Sequence, residues 1–285
     1  MMSGLARAML VGSPGEALER TMDATHISPQ VGKEETVVSV ENLTHWFPSS
    51  QSTHVALRSI DLKVPKGQLL CLVGPSGCGK TTLLNMVSGA LQPERGSVTV
   101  NTHAARPAAV GYMFARDSLM PWRIVQTNVA YALELRGVPK STRLKRADEM
   151  LELVGLQGKG HLYPQQLSHG MRQRANLART LAMDPELMLV DEPFGALDAQ
   201  TKARLQGEFL RIWEGTGKTV IFVTHDLSEA ALIADRIVVM GEGEIRKDIY
   251  VDFERPRDLD ELRFAPEYQA LVHSLWGLFS EGEEK

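Results

Sequence analysis

The stretch Gly74-Pro75-Ser76-Gly77-Cys78-Gly79-Lys80-Thr81 decides the fold of this chain. Two glycines with four residues between them precede a lysine and a hydroxyl residue, which is the pattern of a phosphate-binding loop. Glycine lets successive backbone N–H groups converge on phosphate oxygens, and the helix that follows adds positive potential at its N-terminus. We expect Lys80 to neutralise the β- and γ-phosphates of a nucleotide and Thr81 to give its hydroxyl oxygen to Mg²⁺, with Thr82 completing the site.

The segments on either side of the loop favour this interpretation over a glycine-rich turn that matches by chance. Leu69–Val73 is apolar on both faces, as is typical of a central strand in a covered parallel sheet. Thr81–Leu91 has the pattern of a helix, which ends at Gln92-Pro93-Glu94. A strand, a glycine-rich loop and a helix in this order are the context that the motif requires.

An acidic pair at the end of another predicted strand gives the second part of the site. The sequence Leu187-Met188-Leu189-Val190-Asp191-Glu192 is an apolar strand that ends in carboxylates. We expect Asp191 to lie on the metal side and Glu192 to polarise the attacking water as a general base. Taken alone, this segment would be an ordinary strand followed by a solvated acidic turn, and only the loop gives it a catalytic interpretation.

The order of the remaining segments predicts an α/β fold with a parallel sheet. Thr36–Val40 and Leu57–Val64 alternate in polarity and indicate a β layer that leads into the core. From about Val125 to Leu156 the pattern is helical, apart from Gly137–Pro139, which indicates a helical insertion. Apolar strands then alternate with helices, in the manner of a parallel sheet, at Leu187–Val190, Val220–Val223 and Ile237–Met240.

These segments divide the chain into three parts. We expect residues 1–35 to be a mobile extension that lacks the apolar core of a signal peptide. Residues 36–245 form the main domain, with its helical part at about 115–180, and residues 246–285 form a helical C-terminal extension. The apolar positions from Tyr268 to Phe279 share one helix face, which either packs on the chain's own domain or binds a partner.

Composition limits the classes of function. The 285 residues include 31 basic and 35 acidic side chains, so the formal charge of -4 offers no positive field to nucleic acid, and no nucleic-acid partner is expected. Cys71 and Cys78 form no disulfide framework, in keeping with a reducing cytosol. The longest purely apolar runs have four or five residues, whereas a membrane-spanning helix needs about 20.

Three further motifs resemble those of the ATP-binding-cassette family, and the likeness covers roughly Val37 to Gly243. Leu167–Arg174 looks like the family signature, which starts a helix ahead of the acidic strand. Phe194–Asp198 resembles the loop that links the sites of two subunits, and Thr224-His225-Asp226 resembles the segment that carries the switch histidine.

The resemblance implies a P-loop core with a parallel sheet, an N-terminal antiparallel β layer and a helical insertion, and it implies hydrolysis of ATP with Mg²⁺. His225 would contact the γ-phosphate and hold the water and Glu192 in place, with Lys80 as the third catalytic residue. Phe47 would stack on the adenine, although the adjacent Trp46 is an alternative. The nucleotide would also be bound by Ser168, Gly170, Asp198 and the loop residues Gly74, Pro75, Ser76, Gly77, Cys78, Gly79, Lys80, Thr81 and Thr82.

The same resemblance implies several partners. A second ATPase subunit, identical or not, would pair head to tail with this chain, so that Ser168 and Gly170 of one close over the ATP held by the other. Closure would reach two integral membrane permease subunits through a groove near Leu119–Arg123, on the cytoplasmic face of the inner membrane. That run and Asp191–Asp198 look most like importers of nitrate, sulfonate, taurine or bicarbonate, which implies a periplasmic or surface substrate-binding protein as well.

Two positions depart from the family pattern. Relatives usually have a glutamine that touches Mg²⁺ and senses the γ-phosphate, whereas this chain has Ala115 after Gly111–Phe114. A methyl group has no lone pair to give to a metal, so water would replace that ligand. His169 stands where the signature usually has glycine, and its imidazole either adds attraction for a triphosphate or points away without effect.

Three other functions stay open on the sequence alone. Ala115 suggests a regulatory cassette whose degenerate site pairs with an active one. A second possibility is the cassette of an exporter. A third is a relative that acts in DNA repair or translation, although the long coiled coils, zinc sites or second cassette of such relatives are not found in this sequence.

Overall fold

The computed structural model describes residues 35–48, 53–103, 109–115, 118–195 and 197–280. Residues 1–34 lie outside this part of the chain, and with them nearly all of the extension expected at residues 1–35. None of the helices in the described segments combines the length and the apolar character that a bilayer-spanning helix requires.

Three antiparallel strands form the β layer, and they are longer than the segments predicted from the sequence. β1 spans Thr36–Pro48, β2 spans Thr53–Pro65 and β4 spans Arg95–Val100, in the order β2-β1-β4. β1 pairs with both of its neighbours. Its side chains Val38 and Val40 are buried because the layer covers one face of a second, central sheet.

The central sheet has six strands among the described residues, in the order β5-β6-β7-β3-β8-β9. Every neighbouring pair is parallel except β8 and β9, so the sheet is mixed rather than wholly parallel. Its strands are β3 (Leu69–Val73), β5 (Val110–Met113), β6 (Leu187–Asp191), β7 (Thr219–Thr224), β8 (Arg236–Gly241) and β9 (Glu244–Tyr250).

Strand β9 was not expected, and its sequence explains why. The segment Glu-Ile-Arg-Lys-Asp-Ile-Tyr is mostly charged, and none of its residues is fully buried. Such a strand is stable at the edge of a sheet, where one side faces solvent and no apolar run is needed. Because β9 crosses residue 245, the C-terminal part of the chain begins within the sheet rather than after it.

The helices are grouped as the sequence pattern indicated. α1 (Lys80–Ser88) follows the glycine-rich loop and starts one residue before the predicted helix. Gly137 has a φ of 72° and separates two helices where the interruption was expected. The other helices are α2 (Val125–Val129), α3 (Tyr131–Leu135), α4 (Lys140–Leu153), α5 (His169–Ala182), α6 (Ala199–Thr216), α7 (Leu227–Ile233), α8 (Leu259–Leu262) and α9 (Pro266–Ser280).

Alternate residues of the central strands face opposite layers. Leu70 and Leu72 of β3 pack with the β layer and α1, whereas Leu69, Cys71 and Val73 pack with the helices on the other face. All five side chains are fully buried. A strand covered on both faces has no polar side, which is why the apolar run at this position predicted its bounds correctly.

Asp235 attaches the C-terminal segment to the central sheet. Its Oδ2 accepts a hydrogen bond of 2.8 Å from the N–H of Leu69, and its Oδ1 accepts one of 2.8 Å from Nε of Arg255. Arg255 also donates to Glu214 at 2.9 Å and lies 4.3 Å above the ring of Trp213. Helix α9 packs against α7, so the apolar face of this helix is used within the chain.

Candidate functional site

The loop between β3 and α1 requires glycine at two positions for steric reasons. A Cβ on Gly74 would lie 2.4 Å from the carbonyl oxygen of Met240 and 2.6 Å from Sγ of Cys78. Gly79 has a φ of 104°, and a Cβ there would lie 2.5 Å from the carbonyl oxygen of Ala56 in the β layer. The loop is therefore wedged between β8 and β2, and only glycine lets the chain pass through.

Lys80 begins α1 and keeps its ammonium group at the loop. Its side chain is buried, and Nζ donates hydrogen bonds of 2.7 Å to the carbonyl of Gly74 and 2.9 Å to that of Pro75. Pro75, Ser76 and Gly77 are exposed, so the rim of the loop is open to a ligand. The charge and the helix N-terminus both favour an anion at this rim.

Thr81 and Asp191, the two residues predicted to hold a metal ion, lie close together at the end of β6. Oγ1 of Thr81 lies 3.4 Å from Oδ1 of Asp191, the last residue of β6. Burial raises the pKa of the Asp191 carboxyl, while the contact with Thr81 and the charge of Lys80 act in the opposite direction. A hydroxyl and a carboxylate at this distance are hard oxygen donors of the kind that Mg²⁺ takes as ligands.

Glu192 leaves the sheet with an unusual backbone conformation. Its φ of 42° lies in the left-handed region, which costs a residue with a side chain about 1–2 kcal/mol. Its N–H donates a 2.9 Å hydrogen bond to the carbonyl of Val223 on the neighbouring strand, which holds the turn in place. This turn aims the Glu192 carboxylate toward the end of β7.

His225, the first residue after β7, meets that carboxylate. Its Nδ1 lies 3.1 Å from Oε2 of Glu192, and its side chain is more than half exposed. The structure thus brings together the proposed base and the proposed switch residue, which are 33 positions apart in the sequence.

The polar side chains behind His225 were not predicted from the sequence. Thr224 hydrogen-bonds the carboxylate of Glu229, and Asp226 accepts a 3.1 Å hydrogen bond from the N–H of Glu229 at the start of α7. Lys202 of α6 donates to Asp226 at 2.7 Å. The Asp-x-x-Glu spacing of this segment is the pattern of a helix N-cap and was the available signal.

Phe47 and Trp46 differ in their availability. Phe47 is 42% exposed near the end of β1, with its ring edge-on to His45 at 4.6 Å. Trp46 is half-buried and is covered by the guanidinium of Arg95, 5.6 Å from its ring. The ring of Phe47 is therefore more accessible to a stacked base than that of Trp46. The role of Phe47 stays a prediction.

The signature residues form the start of α5. Ser168 is the N-cap, with Oγ accepting from the N–H of Met171 at 3.3 Å. Nδ1 of His169 lies 3.4 Å from Nη2 of Arg172 on the same helix. A Cβ on buried Gly170 would lie 3.3 Å from Cγ2 of Thr201. These contacts lie within α5 and α6, and none is with the phosphate loop.

Asp198 caps α6 in the same way. Its Oδ1 accepts a 3.0 Å hydrogen bond from the N–H of Thr201, and this bond is the main cause that lowers the pKa of the Asp198 carboxyl. Thr201 therefore contacts both the cap residue and the signature helix. The expected role of Asp198 toward nucleotide stays a prediction.

Ala115 is exposed just beyond β5, and a groove lies between β5 and the helical insertion. The groove has a volume of about 280 Å³, and Tyr112, Met120, Tyr131 and Arg179 are among its lining residues. Met120 belongs to the run expected to line such a groove.

These features together define the class of the protein, a P-loop nucleoside triphosphatase with a helical insertion. The chain belongs to the ABC transporter ATP-binding proteins, and the model of the family described as ABC transporter matches residues 57–195. The resemblance found in the sequence is confirmed, and so are the cassette fold and the ATPase class.

Two relatives and one solved structure support this assignment. The chain is 39% identical to the taurine import ATP-binding protein TauB of Roseobacter denitrificans, over 86% of this chain and 96% of the relative. It is 42% identical to the nitrate import ATP-binding protein NrtD of Synechococcus elongatus, over 79% and 85% of the two chains. A dimeric post-hydrolysis state of the ATP-binding cassette MJ0796 with ADP and Pi is 28% identical, with a TM-score of 0.67 over 76% of this chain and 100% of that one.

The substitution Gly74→Ala tests the geometry of the loop. The added methyl meets backbone at 2.4 Å, so the loop must shift at a cost of about 1–3 kcal/mol, and affinity for a fluorescent ATP analogue should fall about tenfold or more. Gly207→Ala in α6 is the matched control, since its Cβ would meet nothing within 4 Å. Equal affinities for the two variants would contradict the assignment of the loop.

Proposed function

We propose that the chain is the ATP-hydrolysing subunit of an ABC importer for a small anion such as nitrate, sulfonate, taurine or bicarbonate. The contact of 3.1 Å between Glu192 and His225, beside the Thr81–Asp191 pair, carries the catalytic part of this proposal. Two relatives named for taurine and nitrate import support the transport part. The substrate itself would be selected by other subunits.

Five side chains divide the work of hydrolysis. Thr81 and Asp191 would hold Mg²⁺, which supplies positive charge to the phosphate oxygens when bound. Lys80 brings an ammonium group to the same rim. Glu192 takes a proton from the attacking water at its carboxylate, and a proton on Nδ1 of His225 keeps that carboxylate oriented.

Ala115 leaves one position of the metal shell without a protein ligand from β5. Its methyl group has no lone pair, so water would complete the shell, as Mg²⁺ readily allows. The residues that polarise water and neutralise charge are unaffected by this change. The departure therefore bears on coupling to the transporter more than on hydrolysis.

A second cassette would complete the site. Ser168, Gly170 and Asp198 make their contacts within α5 and α6, which leaves the exposed N-terminus of α5 for the nucleotide of a partner. The dimeric state of the solved cassette MJ0796 supports such an arrangement. Closure of the pair would be a ligand-driven shift between two populations, because the nucleotide contacts both halves only in the closed state.

The remaining partners are two membrane permease subunits and a substrate-binding protein. The groove lined by Tyr112 and Met120 offers a recess for a segment of a permease. Trp122, two residues after Met120, is 74% exposed. Such contacts would make the chain a peripheral subunit at the cytoplasmic face of the membrane.

The main rival is a regulatory cassette with a degenerate site. Ala115 motivates it, whereas the intact arrangement of Lys80, Asp191, Glu192 and His225 argues against it. An exporter subunit would share the same residues, so the associated proteins decide between the two directions of transport.

Glu192→Gln tests hydrolysis directly. Removal of the base should lower the rate of phosphate release from ATP about 100-fold or more, while ATP binding is retained. Glu242→Gln is the matched control, since its side chain is 84% exposed and its partner among the described residues is Arg246. A variant at 192 that hydrolyses ATP at the control rate would remove the role of Glu192 as base, whereas a pure wild-type chain that hydrolyses no ATP would favour the regulatory cassette.

His169→Gly tests the departure in the signature. Because Ser168 and Gly170 are kept and the imidazole lies beside Arg172, ATPase activity should stay within several-fold of wild type. The measurement is turnover at saturating ATP. A decrease in turnover of about 100-fold would show that the imidazole takes part in the reaction.

Purification from native membranes tests the partners. Mild detergent extraction with a tag on this chain should yield a permease subunit and, after crosslinking, a substrate-binding protein. Reconstituted vesicles should then import a small anion only when ATP is present on the cassette side. Recovery of the chain without a permease, or salt-sensitive binding to DNA or ribosomes, would overturn the proposal.

A further inference from the structure

A buried hydroxyl group controls the backbone on both sides of His225. Thr224 is 2% exposed, and its Oγ1 is hydrogen-bonded to Oε2 of Glu229. The same oxygen accepts a 3.0 Å hydrogen bond from the N–H of Asp226. The residues that flank His225 are thus joined to each other through one side chain.

This hydroxyl is the end of a longer chain of hydrogen bonds. Oε1 of Glu229 accepts from Nε2 of Gln206 at 2.8 Å, and Oε1 of Gln206 accepts from Nη2 of Arg263 at 2.8 Å. Glu229 and Gln206 are each 3% exposed. We call the four side chains Thr224, Glu229, Gln206 and Arg263 the relay.

The chemistry of the four groups allows one direction of donation. Arg263 can only donate, so Gln206 must present its carbonyl oxygen to Arg263 and its amide NH₂ to Glu229. Thr224 donates to Oε2 of Glu229 and accepts from the N–H of Asp226. A buried network with one arrangement of donors and acceptors holds its members in fixed positions.

Lys202 anchors the relay from the side of α6. Its Nζ lies 2.7 Å from Oδ2 of Asp226 and 3.7 Å from Oε1 of Glu229. Two cations, Lys202 and Arg263, therefore accompany the two carboxylates of Asp226 and Glu229. Burial raises the pKa of the Glu229 carboxyl, while the charge of Lys202 and the hydrogen bonds from Thr224 and Gln206 act in the opposite direction.

We propose that the relay is a positioning device for His225 and that Arg263, which belongs to none of the nucleotide motifs, is its anchor in the C-terminal segment. The inference rests on the proposed role of His225 in hydrolysis. None of the four side chains touches the reacting atoms in this account. They act by fixing where the imidazole meets Glu192.

Thr224→Val keeps the shape of the side chain and removes its hydroxyl. Turnover should fall about tenfold or more, because small displacements of a catalytic group have large effects on rate. The KM for ATP should stay within about twofold, since the loop that binds phosphate is unchanged. Thr224→Ser restores the hydroxyl and should restore turnover to within about threefold of wild type.

Arg263→Met separates the relay from general effects of the C-terminal segment. It should lower turnover about threefold or more while leaving the KM for ATP within about twofold. The control is Arg255→Met, which removes the contacts with Glu214 and Asp235 and should lower the thermal midpoint without changing turnover of the folded enzyme.

The same series includes His225→Ala, with thermal midpoints measured for every variant of the full chain. Loss of turnover in His225→Ala with wild-type turnover in Thr224→Val would overturn the relay and leave the proposed function intact. Equal turnover in Arg263→Met and Arg255→Met would also overturn it. Wild-type turnover in His225→Ala would remove the role of His225 and the relay together.

Discussion

The parallel pairing of β3, β7 and β6 is the constraint on which the site depends. The carboxyl ends of parallel strands lie at one edge of a sheet, so the residues that follow them meet there. Thr81 and Asp191 are 110 positions apart in the sequence, and this pairing brings Oγ1 of Thr81 within 3.4 Å of Oδ1 of Asp191. β9 runs in the opposite direction, and the residues that follow it leave from the other edge.

Burial of this sheet on both faces makes the edge rigid enough to hold strain. Glu192 keeps its left-handed φ of 42° because its N–H is bound to Val223 on a strand that cannot shift. Gly74 and Gly79 pass so close to neighbouring backbone that an added Cβ would lie 2.4 Å and 2.5 Å from a carbonyl oxygen, respectively. The Glu192 carboxylate and the glycine-rich loop are therefore positioned by the packing of the sheet beneath them.

The sequence predicted those parts of the molecule that depend on local pattern. Leu69–Val73 was predicted with its correct bounds because burial on both faces leaves a continuous apolar run. β9 was not predicted, because a strand at the edge of a sheet needs no continuous apolar run. The hydrogen bonds of Thr224 and Arg263 could not be predicted from the sequence, because they join residues that become neighbours only after the sheet and α6 have formed.

Helix α6 contacts both the start of α5 at Gly170 and the segment that carries His225. The backbone N–H of Thr201 caps against Asp198, and its methyl group lies against Gly170 of the signature helix. The next residue, Lys202, binds Asp226 beside His225. Because α6 is a single rigid element of 18 residues, a displacement of its first turn must move both contacts. Movement at the start of α5 can therefore reach His225 through α6, within one chain.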